Sequence, residues 1–152
     1  FHTIRRFCVT LHKTSFLYLQ MEERKYTLDK TERLCSKNLI ERLFAGGNRS
    51  FPAFPLRVVY MYMQPDEGSS DVSILISVPK KRFKRAVKRN LVKRQIREAY
   101  RLNKYILLDA LKKQEGKRMV LAFIWLDNQI HTTKEVEFKV KKLLTHIVEN
   151  MQ

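Results

Sequence analysis

The chain has 152 residues, 44% of them hydrophobic, and a formal net charge of +16. That length and apolar content suit one folded domain with a real core and exclude a disordered basic tail. Two cysteines, Cys8 and Cys35, without CxxC spacing, and four histidines, His2, His12, His131 and His146, without paired-ligand spacing give no signature of a disulfide framework or of a metal site. Such cysteine usage fits a reducing, cytoplasmic setting.

Residues 1–20 contain no acid and are followed by Met21 and a polar stretch. They are read as a non-native or disordered extension, with Met21 the expected start of a single domain over 21–152. An acid-free, Arg/Ser/Thr-containing leader also describes an organellar transit peptide, and that alternative stays open. Ser36 then precedes Leu39, Ile40, Leu43 and Phe44 at helical spacing, and Gly46-Gly47 follows, which predicts a short capped helix with one apolar side. Residues 48–55, with Pro52 and Pro55, read as a connecting loop.

Residues 56–63, LRVVYMYM, alternate as a strand with Val58, Tyr60 and Tyr62 on one face and Arg57, Val59, Met61 and Met63 on the other. A turn-rich loop carries Asp66, Glu67 and Asp71, acids read as solvated rather than catalytic. Residues 72–78, VSILISV, are then expected to be the antiparallel partner of the first strand, closed by Pro79.

The segment 80–104 holds twelve lysines and arginines against one acid, Glu98, and so carries +11 of the chain's +16. Charge so concentrated repels itself unless a polyanion lies against it, which points to a phosphate-rich partner. At helical periodicity Asn90, Arg94, Arg97, Arg101 and Lys104 fall along one face, while Leu91, Val92, Gln95, Ile96, Ala99 and Leu102 fall towards the other. The helix is expected to start near residues 83–85. Beyond Lys104 it either continues with a kink or gives way to a second short helix before Gly116.

Residues 119–126, MVLAFIWL, are apolar on both faces and predict a central, covered strand, far too short to cross a bilayer as a helix. Thr132 with Glu135 forms a capping-box pattern. The apolar positions Val136, Val140, Leu143, Ile147 and Met151 then give a terminal amphipathic helix. Helices alternating with a few strands place the chain in the α+β class, a small sheet covered by helices.

Two motifs sharpen this reading. A strand end, Ser77-Val78-Pro79-Lys80-Lys81, is followed by a helix carrying Arg89-Asn90-Leu91-Val92-Lys93-Arg94-Gln95-Ile96-Arg97. The chain thereby resembles the protein subunit of bacterial ribonuclease P, over about residues 28–151. The resemblance implies a sheet of about four strands with a β-α-β unit of unusual left-handed crossover, the fold shared with ribosomal protein S5 domain 2. It also implies binding of ribonuclease P RNA and of the 5′ leader of precursor tRNA, with hydrolysis carried out by the RNA and its Mg2+ ions and no membrane partner.

On that reading the RNA-binding residues are Lys80, Lys81, Arg85, Arg89, Asn90, Lys93, Arg94, Arg97 and Arg101. The leader would lie in a cleft between the first helix and the sheet, at Ile40, Phe44 and Tyr60, with Tyr62 added by strand alternation. No catalytic residue or metal ligand is expected in the protein. Leu91 stands where the family usually has arginine, a change expected to be tolerable because Leu91 turns towards the apolar side. Pro79 stands where a small residue is more usual. A ribosomal-type structural RNA-binding protein without a role in catalysis is the alternative reading, and a stand-alone nuclease a further one.

Overall fold

The computed structural model describes residues 24–114 and 116–151; the expected extension over 1–20 and the expected start at Met21 lie outside them. A 3-10 turn (Lys30–Glu32) leads into α1 (Lys37–Phe44), β1 (Arg49–Ala53), β2 (Leu56–Met63) and β3 (Val72–Ser77). Helix α2 (Ala86–Lys112), strand β4 (Arg118–Trp125) and helix α3 (Thr133–Glu149) complete the order. All three anticipated helices form. Helix α1 starts after Ser36 and is followed by Gly46 and Gly47 at φ of 97° and 76°, a conformation that glycine adopts without a Cβ clash. Helix α2 is one continuous helix of 27 residues, because its buried stripe Val92, Ile96, Ala99, Tyr100, Lys104, Leu107, Leu111 keeps helical register throughout, with Lys104 the one charged member.

The four strands are ordered β1-β2-β4-β3. The expectation that β2 and β3 pair is wrong: β4 lies between them, antiparallel to β2 and parallel to β3. The physical reason is the composition of β4. A strand apolar on both faces gains most from a central position, and the long crossover through α2 allows β3 and β4 to run parallel as neighbours. The loop after β2 therefore carries the chain to the far side of β4. Arg118 clamps that loop, donating through Nε to the Ser70 carbonyl at 3.1 Å and through Nη2 to Ser73 Oγ at 2.9 Å.

The predicted loop over 48–55 is a second correction, since Arg49–Ala53 forms strand β1, paired with β2 from Arg49↔Tyr60 to Ala53↔Leu56. Pro52 concealed it. Proline is admissible in β1 because this is an edge strand, where a missing N–H costs no ladder bond on the open side.

The sheet has two unlike faces. Leu56, Val58, Tyr60, Met119, Leu121, Phe123 and Trp125 point into the main core beneath α2 and α3. Val59, Val120 and Ala122 point the other way, to a smaller cluster with Leu34 and Leu43. The stripe on α3 is buried as its spacing requires, from Val136 through Ile147, and Met151, just beyond the end of the helix, is buried as well. Burial of each such large side chain contributes about 1.5–3 kcal/mol.

The capping box of α3 also forms, with Thr132 Oγ1 accepting from the Glu135 N–H and the Glu135 carboxylate accepting from the Thr132 N–H. These bonds from Thr132 hold the Glu135 carboxyl below its ordinary value of 4.5. A depressed folded-state pKa stabilises the fold above the unfolded value and loses that contribution as pH falls through the folded one. Glu135→Gln is therefore expected to flatten the acid limb of the stability curve below about pH 4.5, as read by thermal unfolding at a series of pH values. An unchanged limb would remove the box from the acid response.

Candidate nucleic-acid interface

The basic surface is built where β3 hands over to α2. After Ser77 the chain turns, with the Arg82 N–H donating to the Pro79 carbonyl at 3.0 Å, and Phe83 plugs the core. Arg85 is the N-cap residue of α2. From the first turn of the helix Arg89 reaches back, its Nη1 donating to the carbonyls of Phe83 at 2.7 Å and Lys84 at 2.8 Å. Arg89 thus closes the loop onto the helix, so part of its guanidinium is already committed to holding Lys80, Lys81 and Arg85 beside the helical cations.

With the apolar stripe of α2 in the core, Asn90 and Arg94 are exposed and Lys93 and Arg97 are half-buried on the outer flank. Among the described residues none of Lys80, Lys81, Arg85, Lys93, Arg94 or Arg97 meets a carboxylate. The C-terminal end of the predicted face differs. Arg101 donates to both oxygens of Glu98 and to the Tyr26 carbonyl. That bond holds the Glu98 carboxyl below its usual range. Lys104 is only 4% exposed. Its ammonium donates to the Thr27 carbonyl and to Glu32 Oε1, the latter at 3.0 Å.

Lys104 therefore does not belong to the phosphate face, and Arg101 belongs to it only in competition with Glu98. The cause is the segment 24–33, which runs over the C-terminal half of α2. The same segment brings Arg24 to Asp109 at 2.9 Å and the Lys25 carbonyl to the Tyr105 hydroxyl at 2.8 Å. It also sets Arg33 as a parallel bridge beside Ile74. The unpaired cations gather at the N-terminal half of α2 and in the loop before it, a compact cluster suited to phosphates.

Leu91 corrects the sequence reading as well: it is 45% exposed, on the solvent side with Val87 and Leu102. The wheel misplaced it because the stripe of α2 centres between Val92, Ile96 and Tyr100, leaving Leu91 outside its edge.

The predicted cleft is divided by the sheet. Ile40 and Phe44 lie on α1, with Ile40 packed on the smaller cluster and Phe44 45% exposed. Tyr60 and Tyr62 point to the opposite face: Tyr60 is 3% exposed in the main core, and Tyr62 packs at its margin. Strand alternation grouped Tyr62 with Tyr60 as the sheet has them, but the resemblance that set Tyr60 beside Ile40 and Phe44 put the pair on the wrong side. The sheet wall facing α1 consists instead of Val59, Met61, Met63, Leu75 and Ile124. Both faces of LRVVYMYM carry large apolar residues, and Arg57, at the exposed start of the Val59 face, does not mark which face meets α1. Tyr62 retains access to solvent at the end of β2, in a cleft of about 400 Å³ with Arg42, Met63, Gln64, Asp66 and Lys117. Its ring lies 5.4 Å from Lys117 Nζ and 5.8 Å from the Arg49 guanidinium. Burial raises its hydroxyl pKa above the ordinary 10.0.

Among the described residues no three of His, Cys, Asp and Glu gather closely enough to hold a metal ion. Glu98, the one acid of the basic segment, gives both carboxylate oxygens to Arg101. Also among the described residues, no helix is long and apolar enough to cross a membrane.

Comparison with known proteins follows the same lines. The Ribonuclease P family model matches residues 28–148. A ribonuclease P protein component from Porphyromonas gingivalis is 40% identical over 126 residues, covering 83% of this chain and 90% of that protein. One from Chlorobaculum tepidum is 34% identical over 136 residues, covering 85% and 88%. The solved RNase P protein of Thermotoga maritima shares the fold with a TM-score of 0.58 at 22% identity, over 76% of this chain and 96% of that one. A Staphylococcus aureus RNase P protein does so with a TM-score of 0.59 at 20% identity, over 78% and 89%. A basic, unpaired helix face on an α+β sheet, matched in family over most of its length, makes this chain a member of the Ribonuclease P protein family.

Proposed function

We propose that this chain is the protein component of ribonuclease P and acts in the 5′ maturation of tRNA. It binds the catalytic RNA and the 5′ leader of precursor tRNA, and the RNA subunit performs the hydrolysis. The observation that carries the reading is the family match over 28–148 joined to the cluster of unpaired cations at Lys80, Lys81, Arg85, Lys93, Arg94 and Arg97.

The cations neutralise phosphate oxygens and set the register of the RNA, a role that needs charge and geometry but no sequence readout. Asn90 adds a hydrogen-bonding group on the same flank. In this reading unpaired bases of a leader lie beside α1, where Phe44 is exposed and Met61 and Met63 are only partly buried, without a demand on their identity. Mg2+ is in this reading held mainly by the RNA subunit, and the protein supplies cations that position phosphates. A cytoplasmic setting accords with that work.

The test is reconstitution. Added to a bacterial ribonuclease P RNA and precursor tRNA at limiting magnesium, the protein is expected to stimulate 5′ cleavage and lower the magnesium requirement. Absence of stimulation across salt and magnesium conditions would leave a structural RNA-binding role instead. Cleavage by the protein without RNA would overturn the division of labour.

A further inference from the structure

One surface is left unused by this reading. Strand β1 is the sheet edge opposite β3, and α3 packs over β1 and β2 while α2 packs against β3. Between β1 and α3 lies an open groove of about 460 Å³, lined by Phe51, Phe138, Lys141, Lys142, His146 and Glu149 together with Thr145. The cationic loop and outer flank of α2 belong to the β3 side of the sheet, so the groove is a separate surface.

Its construction is specific. The Phe51 and His146 rings are stacked, with centroids 3.4 Å apart and planes at 11°. His146 is held from behind, its Nε2 accepting from Asn150 Nδ2 at 3.1 Å. The edge strand is tied to the end of α3 by Arg49 Nη1, which donates to the Asn150 carbonyl at 3.2 Å. Phe138 projects from α3 and is 64% exposed. Lys139 Nζ lies 6.0 Å from the centroid of its ring. Lys141 and Lys142 line the groove, and Glu149 is the one acid in its wall.

A single exposed phenylalanine is ordinary on a protein surface. Here it shares a groove with a prebuilt aromatic stack and two lysines, and the geometry is fixed before any ligand arrives, which lowers the ordering cost of binding. Planar rings beside excess positive charge complement an unpaired nucleotide, whose base offers a π face and whose phosphate offers the anion.

We propose that the β1–α3 groove is a second RNA contact, which takes an unpaired nucleotide with its base stacked on Phe138 and its phosphate on Lys141 and Lys142. The inference rests on the reading of the chain as a ribonuclease P RNA-binding protein. It goes beyond that reading by adding a contact at the edge of the sheet away from the α2 cations. The holoenzyme would then be gripped from both edges.

The test titrates a bacterial ribonuclease P RNA with the full-length protein, with Phe138→Ala, with Lys141→Ala/Lys142→Ala, and with Arg94→Ala/Arg97→Ala as the reference for the α2 surface, over a range of salt. Phe138→Ala is expected to weaken binding roughly 5-fold to 150-fold while leaving the salt dependence unchanged. The double lysine variant is expected to reduce the log-log salt slope by about 1.4. All the altered side chains are exposed or on the rim, so thermal unfolding should match wild type and serves as the folding control. If the wild-type protein binds and the α2 variant weakens it, but both groove variants bind like wild type, the groove proposal is wrong and the functional reading stands. If the wild-type protein does not bind the RNA, both fall. Sedimentation showing a dimer that Phe138→Ala converts to monomer would assign the groove to a second copy and overturn the proposal.

Discussion

Replacing Arg94 and Arg97 together by alanine is expected to weaken binding of ribonuclease P RNA on the order of 10-fold to 30-fold at about 0.15 M salt. The same change should lower the magnitude of the log-log salt slope by about 1.4 to 1.8. Both guanidinium groups lie outside the core and meet no carboxylate among the described residues. Their counterions are released only when phosphates replace them. Arg101→Ala gives a smaller loss, because Arg101 must leave Glu98 before it can serve a phosphate. Leu91→Arg runs the other way, adding an exposed cation on the first turns of α2 and steepening the slope by about 0.7 to 0.9. Filter binding or fluorescence anisotropy at four or five salt concentrations reads all three. An Arg94/Arg97 variant with wild-type affinity and slope would remove α2 from the interface.

The second large effect concerns stability. Lys104 and Glu32 form an ion pair whose side chains are only 6% and 10% exposed. Removing either charge leaves the other buried and uncompensated, so Lys104→Met or Glu32→Leu is expected to cost about 3–5 kcal/mol in urea unfolding. The double variant should be less destabilised than either single change, because no isolated charge remains in the interior. The loss propagates to the surface above. The same lysine holds the Thr27 carbonyl, and with it the segment that brings the Tyr26 carbonyl to Arg101. Single-variant costs below about 1 kcal/mol would show that water already reaches the pair and that the segment is not docked as described.

These two predictions concern residues that look alike in sequence. Arg94, Arg97, Arg101 and Lys104 continue one helical face, yet the first pair is free, the third is partly neutralised and the fourth is a core residue. Helical periodicity states where a side chain lies around its own axis. It does not state what other segment covers that side, and here the cover comes from residues more than seventy positions earlier in the chain.

The same limit explains the cleft. Alternation along β2 correctly grouped Tyr60 with Tyr62 and Met61 with Met63, but the choice between faces depends on which side α1 and α2 take, and both faces of β2 carry large apolar residues. The pairing of β3 failed for a related reason, since strand order is decided by the competition for the central position, which β4 wins by burying both faces.

By itself, the sequence determined the three helices and their buried stripes, the central strand, the helix starts at Ser36 and Thr132 with the capping box at the latter, and the one segment dense enough in charge to require a polyanion. Those are local properties, set by periods of two and 3.6 residues and by short-range hydrogen bonds. Only the tertiary structure decided the strand order, the face of the sheet that meets α1, and which cations of the basic segment meet no carboxylate among the described residues. Each of these is settled by burial and charge pairing between residues distant in the chain, and no local pattern encodes the partner.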